Sequence, residues 1–156
     1  MWRAATETDD DAIVVMFEGL TAEDPGPDPA PPEHMRRTLA AFRAAPARGR
    51  VAVLDTGDGA AGYALLVPFW SNEYGGEICI IDELYVAAPV RGRGHASALI
   101  AALAAGTSTL WPGRPAALAV EVSAGNARAR ALYERLGFAG DNTALMARLD
   151  GPAPRD

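Results

Sequence analysis

Residues 86–103 read "VAAPVRGRGHASALIAAL". A run with strand character ends, a proline intervenes, Gly92 and Gly94 alternate with Arg91 and Arg93, and a helical pattern begins. Glycines let successive backbone N–H groups converge on one point, because no side chain stands in the way. The first turn of the following helix leaves further N–H groups unpaired, with the positive end of the dipole facing the same way. Together these form a receptor for an anion, and two neighbouring phosphates are its natural guest. Arg91 and Arg93 add positive charge at the rim. The nucleoside-triphosphate pattern G-x-x-x-x-G-K-[ST] is absent. The dinucleotide pattern G-x-G-x-x-G fails as well, since Ser97 stands where its third glycine belongs. A glycine-rich helix start without a ligand is the remaining alternative at this level.

The elements that must position this loop follow from periodicity. A short strand at Trp2–Ala5 precedes "TDDDAIVVMFEGL", where Thr8 is the expected cap and the aspartates suit the helix dipole. Ile13, Met16, Phe17 and Leu20 form one apolar stripe. The Pro-rich "EDPGPDPAPPE" reads as a surface loop, and a second helix, "EHMRRTLAAFRAA", stops before Pro46. Three strands follow, "RVAVLDT", "AAGYALLVPFW" and "GGEICIIDELYV", the first two joined by a hairpin at "GDG". The apolar core "ICII" suits a central strand covered on both faces, with Cys79 buried in it. Ala96, Leu99, Ile100 and Leu103 give the helix after the loop an inner face. "AALAVEV" reads as a buried strand and "NARARALYERLG" as a helix with Ala129, Leu132, Tyr133 and Leu136 on one face. "FAGDNTALMARL" reads as a final hairpin. The strand–helix–strand portion over 78–122 is expected to be a right-handed parallel crossover in an otherwise antiparallel sheet.

Length and composition bound what such a chain does. At 156 residues it is expected to be one domain over 1–150, with a loose tail at 151–156. A net charge of −6 argues against a general nucleic-acid binder and favours, weakly, cationic partners such as amines. A single cysteine excludes an internal disulfide and a cysteine-based zinc cluster, and no metal is expected. The first residues lack a signal-peptide pattern and no apolar run is long enough to span a bilayer, so a soluble, cytoplasmic protein with no membrane partner is expected.

Two motifs in register carry a resemblance. "RGRGHA" at 91–96 matches [QR]-x-x-G-x-[GA], and "NARARALYERLGF" at 126–138 sets an asparagine at the start of a helix that carries a tyrosine and ends at Gly-Phe. With one strand between them, these segments resemble the two conserved blocks of the GNAT superfamily of N-acetyltransferases, and the element order fits over nearly the whole chain. The resemblance implies an α/β fold with a mixed, mostly antiparallel sheet of about seven strands and about four helices, strands four and five being parallel and splayed. It implies acetyl-CoA as cosubstrate, its pyrophosphate held by backbone amides of Arg91, Gly92, Arg93, Gly94, His95 and Ala96. Leu84, Tyr85 and Val86 would pair with the pantetheine arm, and Asn126 would cap its helix, contact the cofactor, or do both.

The implied reaction is direct attack of an amine on the thioester in a ternary complex. Alkylamines are mostly protonated at neutral pH, so a base must remove a proton. Glu83 takes that place by the resemblance, and Tyr133 supplies the proton or hydrogen bond to the departing thiolate. Asp82 points to the opposite face of a regular strand, unless a bulge intervenes. The structural alternatives are a solvated carboxylate at a strand end for Glu83 and a core aromatic for Tyr133. His95 supplies backbone rather than imidazole, and His34 lies on the surface. In "PFWSNEYGGE", Trp70, Glu73 and Tyr74 are candidates to border an ammonium pocket; an ordinary hairpin tip is the alternative. A diffuse similarity to polyamine (diamine) acetyltransferases favours a primary amine on a small molecule as acceptor. A protein amine as acceptor, or a non-catalytic acyl-CoA-binding module, are the competing readings. Dimers are frequent in the superfamily, and an exposed edge strand would permit a homodimer.

Overall fold

The computed structural model describes residues 1–26 and 29–140. In chain order these residues form β1 (Trp2–Ala4), α1 (Asp10–Glu23), α2 (Pro32–Ala44), β2 (Arg50–Asp55), β3 (Ala60–Ser71), β4 (Gly76–Val86), α3 (His95–Ala105), β5 (Leu118–Val120) and α4 (Ala127–Arg135). The sheet of the described residues runs β1-β2-β3-β4-β5, antiparallel except for the parallel β4–β5 pair. The mixed α/β architecture expected from sequence is present. Of the expected last hairpin, residues 138–140 carry no strand; the rest of it, and the tail, lie outside the described residues.

Each face of the sheet buries its own core. Ile13, Phe17, Met35 and Leu39 of α1 and α2 pack on Val53, Tyr63 and Leu65. On the other face, Leu99, Ile100 and Leu103 of α3 pack with Trp111 on Ala64, Leu66, Cys79 and Ile81. Cys79 and Ile78 are both buried, as a strand covered on both faces requires. Tyr133, Leu136 and Phe138 join the second core only as half-buried members, and α4 has no fully buried residue.

Two local departures have simple causes. Asp9, not Thr8, is the N-cap of α1, because a 3₁₀ turn over Glu7–Asp9, itself capped by Thr6, precedes the helix. Asp9 accepts the Thr6 backbone N–H at 2.8 Å and binds the Arg3 guanidinium through both oxygens, each at 2.8 Å. The strand expected over "AALAVEV" shortens to three half-buried residues, because its ladder with β4 ends at Ile81–Val120.

That ending is what builds the site. β3 and β4 shift register between the pairs Leu66–Ile81 and Leu65–Glu83, which leaves Asp82 as an extra residue in a β-bulge. Beyond the bulge β4 runs on to Val86 while the described β5 has already ended. The two parallel strands therefore part at the bulge. From Glu83 onward, one backbone edge of β4 has no ladder partner among the described residues.

Candidate active site

The gap opens into a cleft of about 850 Å³. Its floor is the β4 segment Leu84–Val86, one wall is the glycine loop with the first turn of α3, and the other is α4 with Tyr133. Gly92 (φ 76°) and Gly94 (φ 79°) hold left-handed backbone, a conformation that glycine adopts without the penalty a Cβ would incur. Gly94 is the N-cap of α3 and has no side chain to bond the first-turn amides. The first helical bond runs from Ala98 N–H to the Gly94 carbonyl, so the amides of His95, Ala96 and Ser97 have no helical acceptor. The Trp2 indole N–H donates to the His95 carbonyl at 2.8 Å and braces this turn from the first strand.

Arg91 donates through Nε to the Val86 carbonyl at 2.5 Å and stacks its guanidinium over the Tyr85 ring at 5.2 Å. Its Nη2 reaches Glu23 at 2.8 Å, and Arg128 lies 3.6 Å from the same carboxylate. The neighbouring Asp24 accepts from Ser123 Oγ at 2.6 Å and from Asn126 Nδ2 at 2.7 Å. Asn126 turns its Oδ1 to the Ala129 amide and caps α4. Two carboxylates at the C-terminus of α1 therefore tie both walls of the cleft. Both are held below their ordinary pKa, Glu23 first by its bond to Arg91 and Asp24 first by its bond to Ser123.

Glu83 stands on the other side of the gap. Because of the bulge it shares a face with Tyr63 and Leu65, the face covered by α1 and α2. Tyr63 donates its hydroxyl to Glu83 Oε2 at 2.6 Å. Burial raises the Glu83 carboxyl above its ordinary pKa, with Asp82 adding to the rise and the Tyr63 hydrogen bond opposing it. Asp82 is exposed at the bulge; loss of water around its carboxyl, then the charge of Glu121, raises it as well. Tyr133 lines the cleft from the opposite face, edge-on to Phe138 with centroids 5.4 Å apart. Burial pushes its phenol upward, so it remains protonated at neutral pH.

The sequence-derived residues thus fall into two groups. Leu84, Tyr85, Val86, Arg91, Gly92, Gly94, His95, Ala96, Asn126 and Tyr133 converge on the cleft, Arg93 is not among its lining residues and turns Nη2 to the Pro89 carbonyl, and Asp82 and Glu83 mark the bulge. Trp70, Glu73 and Tyr74 do not join them. They are exposed at the β3–β4 hairpin tip, where Trp70 pairs with Glu77, about 20 Å along the strand from Glu83. Trp2, Glu23, Asp24 and Tyr63 escape a reading of sequence alone. Their partners lie 20 to 102 positions away, and no local pattern marks such pairs.

A sheet with a bulged, parted parallel pair, facing an amide-rich helix start, defines a class of acyl-transfer fold. Residues 14–138 match the Acetyltransferase (GNAT) family, and the chain belongs to it. Solved structures share the fold. One described as a possible acetyltransferase from Clostridium difficile 630 superposes with a TM-score of 0.76 at 19% identity, covering 95% of each chain. A transcriptional regulator from Bacillus halodurans C-125 gives 0.73 at 19% identity, over 96% of this chain and 99% of that one. A ribosomal-protein-alanine N-acetyltransferase from Brucella melitensis biovar Abortus 2308 gives 0.71 at 18%, again over 96% and 99%. At these identities the likeness concerns the fold. No curated protein matches by sequence.

Proposed function

We propose that the protein transfers an acetyl group from acetyl-CoA to a primary amine of a small acceptor, by direct attack within a ternary complex. The observation that carries this reading is the cleft itself, which joins free amides at α3, the open edge of β4 and Tyr133 in one continuous space. The donor set suits a diphosphate: N–H groups without a helical acceptor at a helix N-terminus, with Arg91 and Arg128 lining the same cleft. Among the described residues, Leu84–Val86 supply a free strand edge of the kind an amide-bearing arm pairs with. The Val86 carbonyl is the exception, being taken by Arg91.

Glu83 serves as base and Tyr133 as the thiolate's partner, on opposite faces of the gap. The amine lone pair forms the new C–N bond, its proton passes to the Glu83 carboxylate directly or through water, and the C–S bond breaks with its electron pair on sulfur. A carboxyl raised by burial is a better matched base near neutral pH than a solvated one. Burial holds the Tyr133 phenol above its ordinary pKa, so the phenol keeps its proton at neutral pH. Tyr133 therefore stabilises the thiolate chiefly by donating a hydrogen bond. Asp82, exposed beside the base, borders the approach of a cationic acceptor. Trp70, Glu73 and Tyr74 enter only for an acceptor long enough to span the roughly 20 Å from the hairpin tip.

The test is thiol release from acetyl-CoA across a panel of primary amines, diamines included, with calorimetric titration of coenzyme A alongside. Acetylated amine and stoichiometric thiol are expected. Coenzyme A binding without transfer to any amine, protein N-termini included, would instead indicate a binding module; absence of binding would remove the reading altogether.

A further inference from the structure

We infer that Tyr63 is a positioning residue for the proposed base, its hydroxyl pinning Glu83 through Oε2 and leaving Oε1 to receive the amine proton. The inference rests on the proposed function, and three observations support it. First, Tyr63 is completely buried, so its hydroxyl has no access to water and must find a protein acceptor; Glu83 Oε2 at 2.6 Å is that acceptor. Among the described residues, Glu83 Oε1 carries no hydrogen bond.

Second, the bulge delivers Glu83 to this hydroxyl. Tyr63–Tyr85 and Leu65–Glu83 are successive pairs on one face, while Leu66–Ile81 lies beyond the extra residue. In an unbulged ladder Asp82 would oppose Leu65, and its carboxylate, one methylene shorter, would point at the tyrosine instead. Third, the tyrosine is itself immobile. Its ring packs 6.2 Å from that of Tyr85 and belongs to the core beneath α1 and α2. A fixed donor restricts a side chain with three rotatable bonds, which would otherwise wander at the edge of the gap.

The electrostatics agree with this geometry. Burial drives the Tyr63 phenol far above its ordinary pKa, so it donates at every working pH. Burial raises Glu83 too, and the Tyr63 bond restrains that rise by favouring the ionised carboxylate. Removing the hydroxyl should therefore raise the Glu83 carboxyl further and leave it less well aimed.

The experiment is a ¹³C NMR titration of the Glu83 carboxyl in the full chain, with Tyr63→Phe and Glu83→Gln as variants and the Glu83→Gln spectrum assigning the signal. It is paired with the pH profile of thiol release from acetyl-CoA with 1,4-diaminobutane. Tyr63→Phe should move the titration midpoint and the acid limb of kcat/KM upward by about one pH unit. It should lower kcat about tenfold at neutral pH with coenzyme A affinity unchanged. Site-specific 3-fluorotyrosine at position 63 keeps the ring and strengthens the donor; it should move the midpoint down, and it stands in if the Phe variant does not fold. Parental turnover in Glu83→Gln would sink the function assigned to that carboxylate. A Glu83 midpoint unmoved by either change at Tyr63 would overturn the positioning role, whatever Glu83→Gln does.

Discussion

At the scale of single residues, the roles proposed for Glu83 and Tyr133 are separable by experiment. A positioned base accounts for about 10²- to 10⁴-fold in rate, so Glu83→Gln should lower kcat within that range while coenzyme A affinity stays near the parental value. Tyr133→Phe removes one hydrogen bond to a developing negative charge, an effect of about 1.5–3 kcal/mol, or roughly 10- to 100-fold in kcat. Steady-state thiol release and calorimetric binding, measured on the same preparations, separate the two. Binding that weakens in step with turnover in either variant would speak for a structural role. Tyr133 was visible in sequence, since its place seven residues after Asn126 repeats a family pattern. Tyr63 was not, because a buried tyrosine in "GYALLV" is indistinguishable from any other core aromatic until the opposite strand is in register.

At the scale of elements, the glycine loop and the end of α1 hold the cleft. Gly94→Ala would force an alanine into a left-handed conformation at about 1–2 kcal/mol. Nothing lies within 4 Å of the added Cβ, so the cost is backbone strain and not collision. The loop should relax out of that conformation, weakening coenzyme A binding at least as much as it lowers thermal stability. Calorimetry beside a melting curve would show this, and unchanged binding would detach the loop from the cosubstrate. Asp24 makes a different prediction. α4 has no fully buried residue, and its N-terminus is tied to the rest of the fold through Asp24, Ser123 and Asn126. Asp24→Ala should free that end, giving faster amide exchange over 123–130 and lower kcat, with the cores beneath α1 and α3 still protected. Equal protection over 123–130 in both proteins would show that the carboxylate is dispensable to α4.

At the scale of the whole molecule, stability and the activity proposed for Glu83 pull in opposite directions. Its folded pKa lies above the value it has in an unfolded chain, so its favourable contribution is complete below about 4.3 and is lost as pH rises through the raised pKa. Glu83→Gln should accordingly melt higher than the parent at pH 8, with the difference shrinking toward pH 4. Asp9 has the opposite sign. Its bond to Arg3 depresses its pKa, so its contribution is present above about 3.9 and disappears as pH falls through the depressed value. Asp9→Asn should cost about 2 kcal/mol at neutral pH and progressively less in acid, read from urea unfolding at several pH values.

Sequence alone determined what depends on near neighbours along the chain. Stripes at helical spacing located α1, α3 and α4, and the unbroken apolar run "ICII" marked a strand covered on both faces. Gly92 and Gly94 announced the left-handed backbone at the mouth of α3, because backbone freedom is written in residue type. Tertiary structure decided what depends on which strand edges meet. The bulge that turns Glu83 toward Tyr63, the early end of β5 that opens the gap, and the carboxylates of α1 that clasp both walls are long-range outcomes. Register and closure arise from packing two whole cores against one sheet, an energy shared among dozens of side chains and encoded by no short string of them.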